Sequence, residues 1–143
     1  MYKFLLLIGL TLSVSGNFLM AATVEVEMLN RLGKESMVYS QSVVNVQSGD
    51  TVKWLASSKG HNVQFLTTPN GVDAFKSKLS VDVEYIFNVP GIYLYQCTPH
   101  KSMGMIAVVV VGENKDNIKS IMTSRVGGKS KKRLASILTE LNS

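Results

Sequence analysis

From Thr23 the chain alternates, with Val24, Val26 and Met28 on one side of an extended segment and Glu25 and Glu27 on the other. A two-residue period of this kind is the pattern of a half-buried strand. It recurs at residues 43–46, at 51–55 after the turn residues Ser48-Gly49-Asp50, and at 62–66. Val81, Val83, Tyr85 and Phe87 alternate again before Pro90-Gly91, residues 92–96 follow, and 105–111 form a nearly unbroken apolar run. Gly, Pro, Asn and Ser punctuate these segments. Seven or eight short strands so spaced predict a mainly β, antiparallel sandwich or barrel over about 23–111 rather than a parallel sheet. Residues 73–78 are expected to add one helical turn between strands.

After Gly112 the period changes. Ile118, Ile121, Met122 and Val126 fall at helical spacing, Gly127-Gly128 is a stop signal, and Leu134, Ile137, Leu138 and Leu141 repeat the same face. Two short α-helices therefore close the chain, over about 114–142. Helices this short are marginal alone, so their apolar faces are expected to pack on the strands. The basic cluster at 129–133 reads as the solvated start of the second helix.

Residues 1–22 differ from the rest. Lys3 precedes an 11-residue, mostly apolar run at 4–14, and Ala21-Ala22 supply small residues ahead of the first strand. This is the layout of a cleaved secretory signal peptide, and the run falls short of the roughly 20 apolar residues that span a bilayer. The expected organisation is a signal peptide at 1–22, cut after Ala22, and one domain at 23–143, with no membrane span after cleavage.

Composition narrows the chemistry. The 143 residues are 45% hydrophobic and 17% charged, with 15 Lys and Arg against 10 Asp and Glu for a formal charge of +5. That excess favours acidic partners but is too thinly spread to indicate nucleic acid. The single cysteine, Cys97, excludes an intramolecular disulfide framework and any four-thiolate metal site. An exported chain with a lone thiol calls for an explanation, and metal binding is one.

The two histidines and the cysteine all stand beside turn residues at predicted strand ends: His61 in Lys59-Gly60-His61-Asn62, and Cys97 and His100 in Cys97-Thr98-Pro99-His100. Strand ends gather at the poles of a sandwich, where one loop can approach another. Two imidazoles, one thiolate and a nearby thioether form the ligand set of a blue-copper electron-transfer site. Spacing alone permits either Met103 or Met105 as the thioether.

The string from Cys97 to Met105, with the upstream Gly60-His61-Asn62-Val63, the segment 73–78 and the two terminal helices, resembles the pseudoazurin family of small cupredoxins. The resemblance runs from about Thr23 to the end. It implies a cupredoxin-like Greek-key sandwich holding one type 1 copper, with His61, Cys97 and His100 as equatorial ligands and Met105 as the weak axial one. Met103 becomes a packing residue near the site. Asn62 is expected to tie the two ligand loops together and to aim its backbone N–H at the Cys97 sulfur, with Asn30 flanking the site and Pro99 stiffening the loop. Lys101-Ser102 stand where the family often carries an aromatic and then a small residue. The implied function is periplasmic electron transfer by cycling Cu(II) and Cu(I), without catalysis, in a monomer. Its partner would be an acidic redox protein such as copper nitrite reductase or a c-type cytochrome, docking near His100 and a ring formed by Lys59, Lys76, Lys78 and Lys101. The alternative reading is a periplasmic copper transport or storage module.

Overall fold

The computed structural model describes residues 19–143; Lys3 and the apolar run of the expected signal peptide lie outside the described residues. Eight strands come first: β1 (Thr23–Leu32), β2 (Glu35–Tyr39), β3 (Val43–Val46), β4 (Asp50–Leu55), β5 (Gln64–Thr67), β6 (Val83–Phe87), β7 (Gly91–Gln96) and β8 (Ile106–Val111). Two helices follow, α1 (Ile118–Met122) and α2 (Ser130–Leu141). The strands form two four-stranded sheets, in the orders β2-β1-β4-β6 and β3-β8-β7-β5.

The sheets are not purely antiparallel, as the alternation had predicted. β1 runs parallel to β4, and β3 runs parallel to β8. A half-buried strand alternates in the same way whichever direction its neighbour runs, so the pattern carries no signal for this. Nor does it reveal β2, which is charged at Glu35, interrupted by a positive φ of 53° at Met37, and buried only at Val38 and Tyr39. Residues 73–78 are not a helical turn either. They run extended beside β5, with the Phe65 N–H donating to the Phe75 carbonyl at 2.9 Å and the Ser77 N–H to the Val63 carbonyl at 2.8 Å. Phe75 is drawn into the aromatic packing around Phe65 and Tyr85, with ring centroids 4.9 and 5.1 Å away.

Two apolar clusters account for the remaining pattern. Between the sheets lie Val26, Met28, Trp54, Phe87, Tyr93, Tyr95 and Val109, together with Cys97 and Met105. On the outer face of β7 and β8, Ile92, Leu94, Ile106, Val108 and Val110 meet Ile121 of α1 and Leu134, Ile137 and Leu141 of α2. β8 is thus buried on both faces, which is why its sequence is apolar without alternation. Burying a leucine or isoleucine stabilises by about 1.5–3 kcal/mol, more than the few tenths per residue by which helix propensities differ. Packing therefore holds helices too short to persist alone. α1 stops at Met122, earlier than the periodicity implied, while Val126 still packs on this cluster from the connecting segment.

Candidate metal centre

The β7–β8 connection is shaped by its own backbone. The Cys97 N–H donates to the Met105 carbonyl at 3.0 Å and closes the base of the loop, while the His100 N–H reaches the Cys97 carbonyl at 3.1 Å and the Met103 N–H reaches the His100 carbonyl at 2.9 Å. Thr98–His100 forms one 3-10 turn with Pro99 in its first positions, where a missing N–H costs nothing. Gly104, at φ +98°, provides the backbone reversal before β8.

The second loop, between β4 and β5, is pinned alongside. The Gly60 N–H donates to Ser80 Oγ at 2.8 Å, and the Ser80 N–H returns to the His61 carbonyl at 2.9 Å. Asn62 joins the two loops as expected. Its Oδ1 accepts the Thr98 N–H at 2.8 Å, and its Nδ2 donates to Thr98 Oγ1 at 3.0 Å.

These ties bring three donor atoms together. His61 Nδ1 and His100 Nδ1 are 3.1 Å apart, and the Cys97 sulfur stands 3.6 Å from the first and 3.4 Å from the second. On the far side of its ring, His61 Nε2 lies 2.8 Å from Asn30 Oδ1. An amide oxygen only accepts, so Nε2 carries the proton and Nδ1 presents its lone pair to the other donors. His61, Cys97 and Met105 are wholly buried, whereas His100 keeps an exposed edge.

The two methionines are separated by burial. Met105 shares the inner core with Cys97, at 0% exposure, while Met103 is 42% exposed and so is a surface residue rather than a packing one. Tyr39 is a neighbour the sequence did not flag. Its hydroxyl donates to the Asn62 carbonyl at 2.7 Å from a strand that showed no pattern of its own.

Burial governs the electrostatics. It pushes the Cys97 thiol up, and the backbone N–H groups of Asn62 and His100 oppose part of that rise. Burial and then the neighbouring His100 lower His61, which keeps it a neutral imidazole. Tyr39 is pushed well above the phenol range by burial, with Tyr95 and Cys97 adding to the rise, so it remains a hydrogen-bond donor.

The donor set fits a single soft-to-borderline ion. Ligands about 2.0–2.3 Å from one centre, separated by roughly 100–120°, stand about 3.1–3.7 Å from one another, which is the observed spacing of the three atoms. Two imidazoles and one thiolate are the trigonal set of blue copper, and a thioether is its weak fourth donor.

A two-sheet sandwich with this cluster at its loops defines a cupredoxin. The sequence pattern of copper-binding proteins of the plastocyanin/azurin family matches residues 26–112. A pseudoazurin of Paracoccus pantotrophus is 35% identical over 124 residues, covering 85% of this chain and 86% of that protein. Among solved structures, a pseudoazurin from Sinorhizobium superposes with a TM-score of 0.81 at 35% identity, covering 87% of this chain and 98% of the other. The pseudoazurin of Methylobacterium extorquens AM1 gives a TM-score of 0.79 at 33% identity, covering 83% and 98%. The chain belongs to the plastocyanin/azurin family of copper-binding proteins, and its similarity to pseudoazurins extends over most of its length.

Proposed function

We propose that the chain is a periplasmic electron carrier and not an enzyme, with one type 1 copper held by His61, Cys97 and His100 and weakly by Met105. The observation that carries this reading is the closed cluster of two imidazole nitrogens and one thiol within 3.6 Å, buried except at His100. Bound copper supplies a one-electron Cu(II)/Cu(I) couple. The protein's part is to hold donors that suit both states, since thiolate and thioether favour Cu(I) and imidazole accepts either. Asn30 and Asn62 keep those donors in place, and the surrounding core excludes water.

His100 is the one proposed ligand side chain with an exposed edge, which makes it the contact for a partner. Lys59, Lys76, Lys78 and Lys101 are all exposed. Lys59 and Lys101 neighbour the two histidine-bearing turns, and the segment holding Lys76 and Lys78 is bonded to the His61 loop through Ser77 and Val63. A basic rim of this kind steers an acidic protein into a weak, short-lived complex, as a shuttle requires. The partner is an acidic redox protein such as copper nitrite reductase or a c-type cytochrome, and the carrier acts as a monomer. Export follows from the signal-peptide layout at 1–22; among the described residues no helix is long and apolar enough to cross a membrane.

The test is to load the protein with Cu(II), remove excess metal, and record its visible spectrum and electron paramagnetic resonance. An intense thiolate-to-copper band with narrow hyperfine splitting, reversibly bleached by a mild reductant, is expected. Colourless protein, or weak tetragonal copper independent of Cys97, would overturn the carrier and bring forward copper transport or storage.

A further inference from the structure

The loop carrying Cys97, His100 and Met105 is held from two sides. Its first half is tied to the sandwich through Thr98 and Asn62. Its second half is tied to α2. The Ser130 hydroxyl donates to the Lys101 carbonyl at 2.5 Å, and the Lys129 N–H donates to the Ser102 carbonyl at 2.9 Å. Ser130 is wholly buried although Lys129, Lys131 and Lys132 around it are exposed. Its hydroxyl therefore exchanges solvent for a single fixed acceptor. Gly128 sits at φ +54°, and a Cβ there would stand 2.3 Å from the Ser102 carbonyl oxygen. Such close passage of two backbones requires glycine. α2 is itself anchored through Leu134, Ile137 and Leu141 to the outer core of β7 and β8.

We propose that Ser130 is a positioning residue for the metal centre: its hydroxyl, with Gly128 allowing the close approach, fixes the peptide groups between His100 and Met105, so that α2 braces the ligand loop. Side chains that must keep one geometry through two oxidation states need their supporting backbone locked. The redox consequence rests on the copper reading above, while the mechanical one does not. Loss of this one net hydrogen bond is enough to alter local opening without unfolding the sandwich.

The full chain carrying Ser130→Ala or Gly128→Ala tests this with two readouts. In the metal-free protein, hydrogen exchange at the Met103 amide, which is bonded to the His100 carbonyl, should quicken about threefold to tenfold, the range that loss of such a bond produces. Amides 108–110 in β8 should exchange unchanged. In the copper-loaded protein, the Cu(II):Cu(I) ratio at the wild-type midpoint should change at least about threefold, a shift of the kind that supporting groups around a metal produce. Wild-type exchange at Met103 with an unaltered midpoint in both variants would overturn the brace. So would equal quickening at Met103 and at 108–110, which would make Ser130 a residue of general stability. If Ser130→Ala does not fold, Gly128→Ala, at an exposed position, carries the test. A wild-type protein with no copper band would refute the carrier while leaving the exchange result to decide the brace.

Discussion

His61 Nε2 lies 2.8 Å from the side-chain oxygen of Asn30, a residue of β1 thirty-one positions earlier. That bond selects one tautomer of a buried ring and turns its Nδ1 lone pair towards Cys97 and His100. Asn30 is held in turn, because its N–H donates to Ser58 Oγ at 3.1 Å.

Asn30→Ala should therefore lower copper affinity about tenfold to a hundredfold, as read by competition with a chelator of known affinity. Asn30→Asp, which keeps an acceptor, should retain most of it. Equal affinity in Asn30→Ala and wild type would show that the ring is oriented by packing alone.

Cys97→Ser should abolish the intense visible band, because the thiolate supplies the charge-transfer partner. Met105→Gln should keep copper and shift colour and potential, since the axial bond is weak. An unchanged spectrum and potential in Met105→Ala would point instead to Met103, despite its exposure.

Lys59→Glu or Lys101→Glu should slow transfer to an acidic partner about tenfold at low ionic strength. The difference should close as salt shortens the screening length to about 8 Å or less. Stopped-flow rates across a salt series check this, and a rate unchanged at every salt concentration removes these lysines from the interface.

Asp50 accepts the Ala22 N–H at 2.8 Å and the Gln47 N–H at 2.7 Å, and these bonds hold its carboxyl below the usual range. A group whose folded pKa is depressed stabilises the fold above its unfolded pKa, near 4, and loses that contribution as pH falls through the folded value. Asp50→Asn should cost about 1–2 kcal/mol at neutral pH, with the gap to wild type closing in acid. Urea unfolding at several pH values measures it, and a constant gap would sink the account.

Ala22 also bears on processing. Its carbonyl accepts the Thr51 N–H at 2.9 Å, so it extends the β1–β4 pairing by one residue. A cut after Ala22 removes both of its bonds, whereas a cut one or two residues earlier keeps them. The cut after Ala22 expected from the sequence predicts Thr23 at the N terminus of the exported protein, as read by mass spectrometry; Ala21 or Ala22 there would move the cut earlier and keep these bonds.

The elements differ in how openly they announced themselves. β1, β4, β6 and β8 follow from alternation or from an apolar run, and α2 from its i, i+3, i+4, i+7 face, because burial on one face or on two leaves a local imprint. β2 left none, since only two of its five side chains are buried. Segment 73–78 looked helical because nothing local records that Phe75 will insert beside Phe65 and Tyr85.

By itself the sequence determined the donor inventory: one thiol, two imidazoles and two candidate thioethers, all beside turns in a β-rich chain. The order of chemistry along the chain was enough for that. Which way the strands pair, which methionine is buried, and which atoms of Asn30, Tyr39 and Ser130 support the centre were decided only by tertiary structure. These contacts join residues tens of positions apart, and their geometry comes from how two sheets and a helix pack, which no local periodicity encodes.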